Sequence, residues 1–413
     1  MDAAAEIGHL APPPHPFKRP IMPITASALD KAKDLLRKVP LVDGHNDLPY
    51  VIWSSSARGN VRQFDPSRVH QDHDTDLPRL AEGGVDAQFW AAFQPTNAPA
   101  PSRTTLELID IIHQLAEAYP EQLLSARAAS DVHRAKRAGK IASFLAIEGG
   151  VGLENSLAPL RVWHSAGARL MTLCHNETLD WVDSATDAPR HGGLTAFGRA
   201  VVLELNRLGM MVDLAHVAHT VMRQVLDLTR APVVFSHSNA FTLCDHPRNV
   251  PDDVLDRVKG NGGIVMATFV PTFASQELRD WYRPYCDEWG KAPLTLFTEG
   301  ARPPAQIRDR PKATLEQVCD HIEYLANRAG LAHVGIGSDY FGGNTPLGLE
   351  HVGRFPYLLA ELIQRGWSED ALAGLASGNF LRVFRTVERI GRKLRAVEPP
   401  RTGRLEDYDR APS

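Results

Sequence analysis

Eight short apolar segments, nearly all separated by stretches of helical periodicity, constrain this chain more than any other feature. The strand candidates are residues 40–45, Val85–Ala92, Ile141–Ile147, Arg169–Cys174, Met210–Leu214, Val233–Ser236, Gly263–Phe269 and Val334–Gly337. Helices are predicted at Ser27–Lys38 and near 103–119, 156–166, 195–208, 219–229 and 314–329, with two more near 355–364 and 377–389. Alternating strands and helices imply a parallel sheet, and eight such units imply a (β/α)8 barrel of the metal-dependent hydrolase type. The alternative, an open doubly wound sheet, would usually advertise a phosphate loop. No GxGxxG follows the first strand, and GxxxxGK[ST] occurs nowhere.

The 413 residues suffice for one large barrel or two smaller domains. With 45 basic and 49 acidic residues the formal net charge is −4, so nothing suggests a nucleic-acid-binding surface. No apolar run approaches the roughly 20 residues that span a bilayer, so no membrane partner is expected. Residues 1–24 read as a Pro- and Ala-rich extension without the apolar core of a signal peptide. Residues 25–392 read as the barrel domain and 393–413 as a disordered tail. Cys174, Cys244, Cys286 and Cys319 show no CxxC spacing, which points to a reduced, cytoplasmic protein.

The chemistry lies at the strand ends. The first strand runs into His45-Asn46-Asp47, and side chains two apart on a strand share a face. A second His-x-Asp, His70-Gln71-Asp72, has no strand before it and reads as a solvated loop. The third strand ends in Glu148-Gly149-Gly150, the fourth in His175, the fifth in His216, the sixth in His237 and the eighth in Asp339. Any one of these alone is more simply a structural residue. Six of eight strands ending in His, Asp or Glu on the face that carries the active site of such barrels is different. So many buried polar groups are costly unless they bind something. His45, Asp47, His216 and His237 make two ligand pairs, and Glu148 can bridge two divalent ions. Two metals about 3.5–4 Å apart activate a water for hydrolysis. His175 and Asp339 remain for oxyanion stabilisation and proton transfer.

The chain resembles the membrane (renal) dipeptidases and their bacterial relatives over roughly residues 40 to 390. The matching stretches include Val42-Asp43-Gly44-His45-Asn46-Asp47-Leu48-Pro49, Ala146-Ile147-Glu148-Gly149, Leu173-Cys174-His175-Asn176, Val212-Asp213-Leu214-Ala215-His216, Phe235-Ser236-His237-Ser238 and His246-Pro247-Arg248-Asn249-Val250-Pro251. The resemblance implies a zinc dipeptidase with two Zn2+ per chain. His45 and Asp47 would hold one ion and His216 and His237 the other, with Glu148 bridging. His175 would bind the scissile carbonyl, Arg248 the substrate's terminal carboxylate, and Asp339 would protonate the leaving amine. Dipeptides are the expected small-molecule substrate, and a homodimer is the family's expectation. One departure stands out. The family usually reads Gly-Ser-Asp-Phe-Asp-Gly at the eighth strand, and here Phe341 replaces the second Asp. Two other readings compete: a lactonase, deaminase or phosphotriesterase on the same barrel, and an inactive binding protein. Many of the former bridge their metals with a lysine on strand four, which has none here.

Overall fold

The computed structural model describes residues 23–286 and 310–409. Most of the N-terminal extension, the middle of the 270–312 insertion and the last four residues lie outside the described residues. Nine parallel strands form one sheet: β1 (Leu41–Asn46), β2 (Val85–Phe93), β3 (Leu123–Ser125), β4 (Ile141–Glu148), β5 (Ala168–Thr172), β6 (Met211–Asp213), β7 (Val234–Phe235), β8 (Ile264–Ala267) and β9 (Val334–Ile336). Eight of them run round a nearly closed barrel in the order β1-β2-β4-β5-β6-β7-β8-β9. The eight segments picked out in the sequence are these eight strands. The ninth, β3, is a short addition that pairs only with β4.

The helices form because each carries one apolar face and a defined start. In Ala26–Lys38 the buried residues Ala28, Ala32, Leu35 and Leu36 fall at helical spacing, and the Thr25 hydroxyl caps the Ala28 amide. Thr314 and Gln317 make a capping box at the start of Leu315–Ala329. Gly209, at φ 76°, ends Ala196–Leu208 in the left-handed turn that glycine adopts without strain. Among the described residues no helix is long and apolar enough to cross a membrane.

The barrel interior is packed, and alternation decides what fills it. On β4, Phe144 and Ala146 point into the interior cluster, and Glu148 follows on the same face. Phe144 stacks on Phe89 of β2 with centroids 4.6 Å apart. Phe380 and Phe384 of the long helix Asn379–Val397 meet Phe89 edge on. Truncating such a phenylalanine costs roughly 3–5 kcal/mol. Closer to the strand ends Met266 reaches across the barrel. It fits because Gly44, Gly335 and Gly337 leave room: a Cβ on Gly44 would stand 2.7 Å from its sulfur. At Gly337 a Cβ would stand 1.7 Å from the Ser236 carbonyl oxygen, so no other residue fits.

The sequence reading of the C-terminus needs correction. The last long helix continues to Val397, past the expected boundary at 393, and residues 398–409 fold back on the barrel. The Leu157 amide donates to Gly403 and the Leu405 amide to Asn155. The Asp409 carboxylate caps the Ala196 and Phe197 amides. A polar, Pro-rich composition suggested disorder, but here those polar groups satisfy exposed backbone of other elements.

Candidate metal centre and active site

Each site residue sits where a strand gives way to a turn. His45 is on β1, but Asp47 is past its end. At φ −94° and ψ 15°, Asp47 has left the strand and stands at the start of the helix Leu48–Ser54. Strand alternation therefore does not bring the two side chains together. The turn does, and the Asn46 side chain secures it by accepting the Leu48 amide and donating to Thr75. Glu148 ends β4, and Gly149 follows at φ 93°. His216 and Asp339 are both left-handed, at φ 69° and 61°. That conformation is uncommon for residues with a Cβ and clusters at functional sites.

The five expected ligands meet at the carboxyl end of the barrel. His45 Nε2 lies 3.4 Å from Glu148 Oε2, 3.6 Å from Asp47 Oδ1 and 3.8 Å from Asp339 Oδ1. On the other side, Glu148 Oε1 lies 3.1 Å from His216 Nε2 and 3.6 Å from His237 Nε2. Glu148 thus turns one oxygen to each histidine group. Ligand atoms of His45, Asp47 and Glu148 fall within 4.8 Å of one another, as do those of Glu148, His216 and His237. A third such group, His45, His237 and Asp339, places Asp339 closer to the centre than its expected role as acid required.

The electrostatics are those of a charged cluster out of water. Burial alone would lower His45, but the Glu148 and Asp47 carboxylates outweigh it and raise the imidazole well above its ordinary value. Burial would likewise raise Glu148; His45 and the neighbouring His216 hold it well below the usual carboxylate range. Burial, with Asp47 and Glu148 alongside, pushes Asp339 well up. Burial lowers His216 and His237 well below an ordinary imidazole and His175 to about 4.

This donor set fits a metal. His45 Nδ1 and Nε2, Asp47 Oδ1 and His237 Nε2 are buried with no hydrogen-bond partner among the described residues. Such groups cost free energy unless something pairs with them, and imidazole with carboxylate suits a divalent transition ion. The His216 Nδ1–H donates to Asn176 Oδ1 at 3.1 Å, which leaves Nε2 as the donor atom toward the centre.

The remaining expected residues surround this cluster. His175 lies against His216, centroids 4.2 Å apart, and against Phe93 at 4.4 Å. Tyr50 extends the same aromatic wall from Phe93 at 4.9 Å. Arg248 is buried, and burial brings its guanidinium down to about 10. Phe341 is left-handed at φ 71°; its amide donates to Asp74 and its ring meets His73. His70 of the second His-x-Asp is structural: it stacks on Phe64 and bonds the Asp65 carbonyl. Sequence reasoning missed Asp43, Asp213, Ser236 and Ser338, which are buried beneath the ligands. The available signal was Ser before a site residue at two strand ends, and Asp two or three residues before a site histidine.

Fold and site together define a (β/α)8 hydrolase with a metal-binding constellation at the carboxyl ends of its strands. The membrane dipeptidase family, peptidase family M19, matches residues 29–398. Dipeptidase aclJ of Aspergillus oryzae is 37% identical over 390 residues, 89% of this chain and 82% of that protein. The probable dipeptidase PvdM of Pseudomonas aeruginosa superposes with a TM-score of 0.75 at 24% identity, over 88% of this chain and 99% of PvdM. A metallopeptidase of Rhodobacter sphaeroides, solved with a phosphinate mimic of the dipeptide L-Ala-D-Ala, gives 0.69 at 23% identity, over 84% and 99%. The chain belongs to the membrane dipeptidase family, peptidase family M19, and is a metal-dependent hydrolase of peptide bonds.

Proposed function

We propose that the chain is a binuclear zinc dipeptidase. The carrying observation is the convergence of His45, Asp47, Glu148, His216 and His237, four of whose buried donor atoms have no hydrogen-bond partner among the described residues. His45 and Asp47 would hold one ion, His216 and His237 the other, and Glu148 both. When bound, the two ions supply activation of the attacking water and polarisation of the scissile carbonyl. His175, kept neutral by burial, donates a hydrogen bond to the carbonyl oxygen as it gains charge. Arg248 receives the substrate's terminal carboxylate. Asp339, whose carboxyl group is pushed up by burial, delivers a proton to the leaving amine. The Rhodobacter protein's dipeptide mimic supports a substrate of this size. The setting is the reducing cytoplasm, which suits the buried thiols Cys174, Cys244 and Cys319.

The test combines metal analysis with a substrate panel of L,L and L,D dipeptides, tripeptides, a lactone and a phosphotriester. Two zinc ions per chain and cleavage confined to dipeptides are expected. Glu148→Gln keeps the size of the side chain and removes its charge, and should lose metal and activity with little change in fold. Full zinc occupancy in Glu148→Gln would overturn the bridging role, and preferred hydrolysis of the lactone or phosphotriester the substrate class.

A further inference from the structure

Two aspartates beneath the site have no part in that mechanism. Asp43 on β1 and Asp213 on β6 are fully buried. Each grips a serine just past the end of the neighbouring strand, β9 or β7, through the same pair of atoms. Asp43 accepts the Ser338 amide on Oδ1 at 2.7 Å and the Ser338 hydroxyl on Oδ2 at 2.6 Å. Asp213 accepts the Ser236 amide on Oδ1 at 2.8 Å and the Ser236 hydroxyl on Oδ2 at 2.6 Å. The residue after each serine is a site residue, Asp339 and His237. Each aspartate also precedes a site histidine in the chain, His45 on β1 and His216 in the turn after β6. One carboxylate thus links two site groups at the ends of neighbouring strands.

The two latches differ in what lies beyond the serine. The Ser236 oxygen is 2.7 Å from His237 Nδ1. A hydroxyl has one proton, and at 2.6 Å the Asp213 oxygen must receive it, because two acceptors would otherwise face each other. His237 Nδ1 must then be the donor to Ser236. That places the imidazole proton on Nδ1 and leaves the lone pair of Nε2 toward Glu148. Asp213 keeps its orientation through two further donors, the Thr172 hydroxyl at 2.6 Å and the Ala215 amide at 3.1 Å.

The Asp43 latch stands where the barrel closes. Among the described residues β9 and β1 share no ladder, only an isolated bridge between Asn46 and Tyr340. Ser338 held by Asp43, and the Asp339 amide donating to the His45 carbonyl at 3.2 Å, make the seam. Asp43 is steadied in turn by Gln88 at 3.0 Å. This latch sets where Asp339 stands relative to His45.

We propose that Asp213 and Asp43 are positioning residues with separate duties. Asp213, through Ser236, fixes the tautomer of His237 that can bind metal. Asp43, through Ser338, fixes the proton donor Asp339. The proposal rests on the dipeptidase reading above. Asp213→Asn is the sharpest variant. Its oxygen would stay with the Ser236 and Ala215 amides, and its NH2 would face the Ser236 hydroxyl. The chain of donors would then run backwards and put the His237 proton on Nε2, as when the aspartate of a Ser-His-Asp triad is made asparagine.

The experiment uses the full chain: wild type, Asp213→Asn, Ser236→Ala, their double variant, Asp43→Asn and Ser338→Ala. Zinc affinity is read by chelator competition, kcat and KM on a dipeptide at saturating zinc. Asp213→Asn and Ser236→Ala should each weaken one zinc about 10–100-fold, the usual worth of an outer-shell partner. The double variant should be little worse than either, because both break one relay. Asp43→Asn and Ser338→Ala should keep both zinc affinities and lower kcat more than they raise KM. Zinc affinity within threefold of wild type in Asp213→Asn, or additive losses in the double variant, would overturn the relay. Zinc loss in Asp43→Asn equal to that in Asp213→Asn would overturn the division of duties. Nitrogen-15 spectra of histidine-labelled metal-free wild type, with His237→Gln for assignment, read the tautomer even where a variant fails to fold. A protonated Nδ1 supports the proposal and a protonated Nε2 sinks it. A wild type that binds no zinc and cleaves no dipeptide would refute the dipeptidase reading, and the spectrum would still decide the relay.

Discussion

Arg248 stands over the ring of Phe273, its guanidinium carbon 5.1 Å from the centroid, and its Nε and Nη1 have no hydrogen-bond partner among the described residues. A buried, planar fork of donors matches a carboxylate in two hydrogen bonds. Capping a dipeptide as its C-terminal amide should then cost a few kcal/mol in kcat/KM, because a buried charge loses its partner. Arg248→Ala should show the same loss on free dipeptides and little further loss on amides. Comparing wild type and Arg248→Ala on both substrates decides it. Additive penalties would mean that the two groups do not meet.

Asp339→Asn should leave both metals bound and cut turnover roughly 10²–10⁴-fold, the usual range for general acid–base catalysis. The replacement keeps the shape of a buried side chain and removes its proton. His175→Ala should reduce kcat with metal content unchanged. A His175→Ala enzyme with wild-type kcat would remove the carbonyl contact from the mechanism.

Gly337→Ala should abolish soluble protein. The added methyl would stand 1.7 Å from the Ser236 oxygen, where backbone faces backbone in the packed barrel and nothing flexible can yield. Wild-type yield and melting temperature for this variant would show that the barrel relaxes far more than its packing suggests.

His321 gives a pH dependence separate from the metal centre. Its Nδ1 accepts the Ala240 amide and its Nε2 donates to the Ala274 carbonyl, so the folded protein needs it neutral. Burial lowers it from 6.5 to about 4. The folded state therefore binds this proton less readily than the unfolded chain. The resulting stability, about 3 kcal/mol, is full above pH 6.5 and is lost as the pH falls toward 4. His321→Asn keeps an acceptor for Ala240 and does not titrate. The gap in melting temperature between wild type and His321→Asn should narrow from pH 7 to pH 4.5. A constant gap would exclude His321 as the cause.

The barrel was legible because each strand announces itself in one place: an apolar run, then a polar residue, then a helical period. Glu148, His216 and His237 could be read off those ends without knowing which strands were neighbours. Asp43 and Asp213 could not. Each reads as a polar interruption inside a buried strand, and its meaning depends on a serine that only the topology supplies. The convergence of His45 and Asp47 was expected from strand alternation and arises from a turn, because Pro49 and the Asn46 side chain start a helix directly after the strand. The tail was misjudged for a related reason. Composition describes what a segment could bury by itself, and residues 398–409 are ordered by what other elements leave unpaired.

The seam between β1 and β9 also bears on how the enzyme is made. Asp43 and Ser338 are 295 residues apart. A ribosome adding about 5–20 residues per second needs roughly 15–60 s to pass from one to the other. For all that time His45 and Asp47 are out and Asp339 does not yet exist. The five candidate ligands are all present once His237 has been made, but until Ser338 meets Asp43 the barrel that holds them stays open. Only a chain translated through its last strand closes the seam, so a product truncated before residue 338 should hold divalent metal more weakly than the full chain.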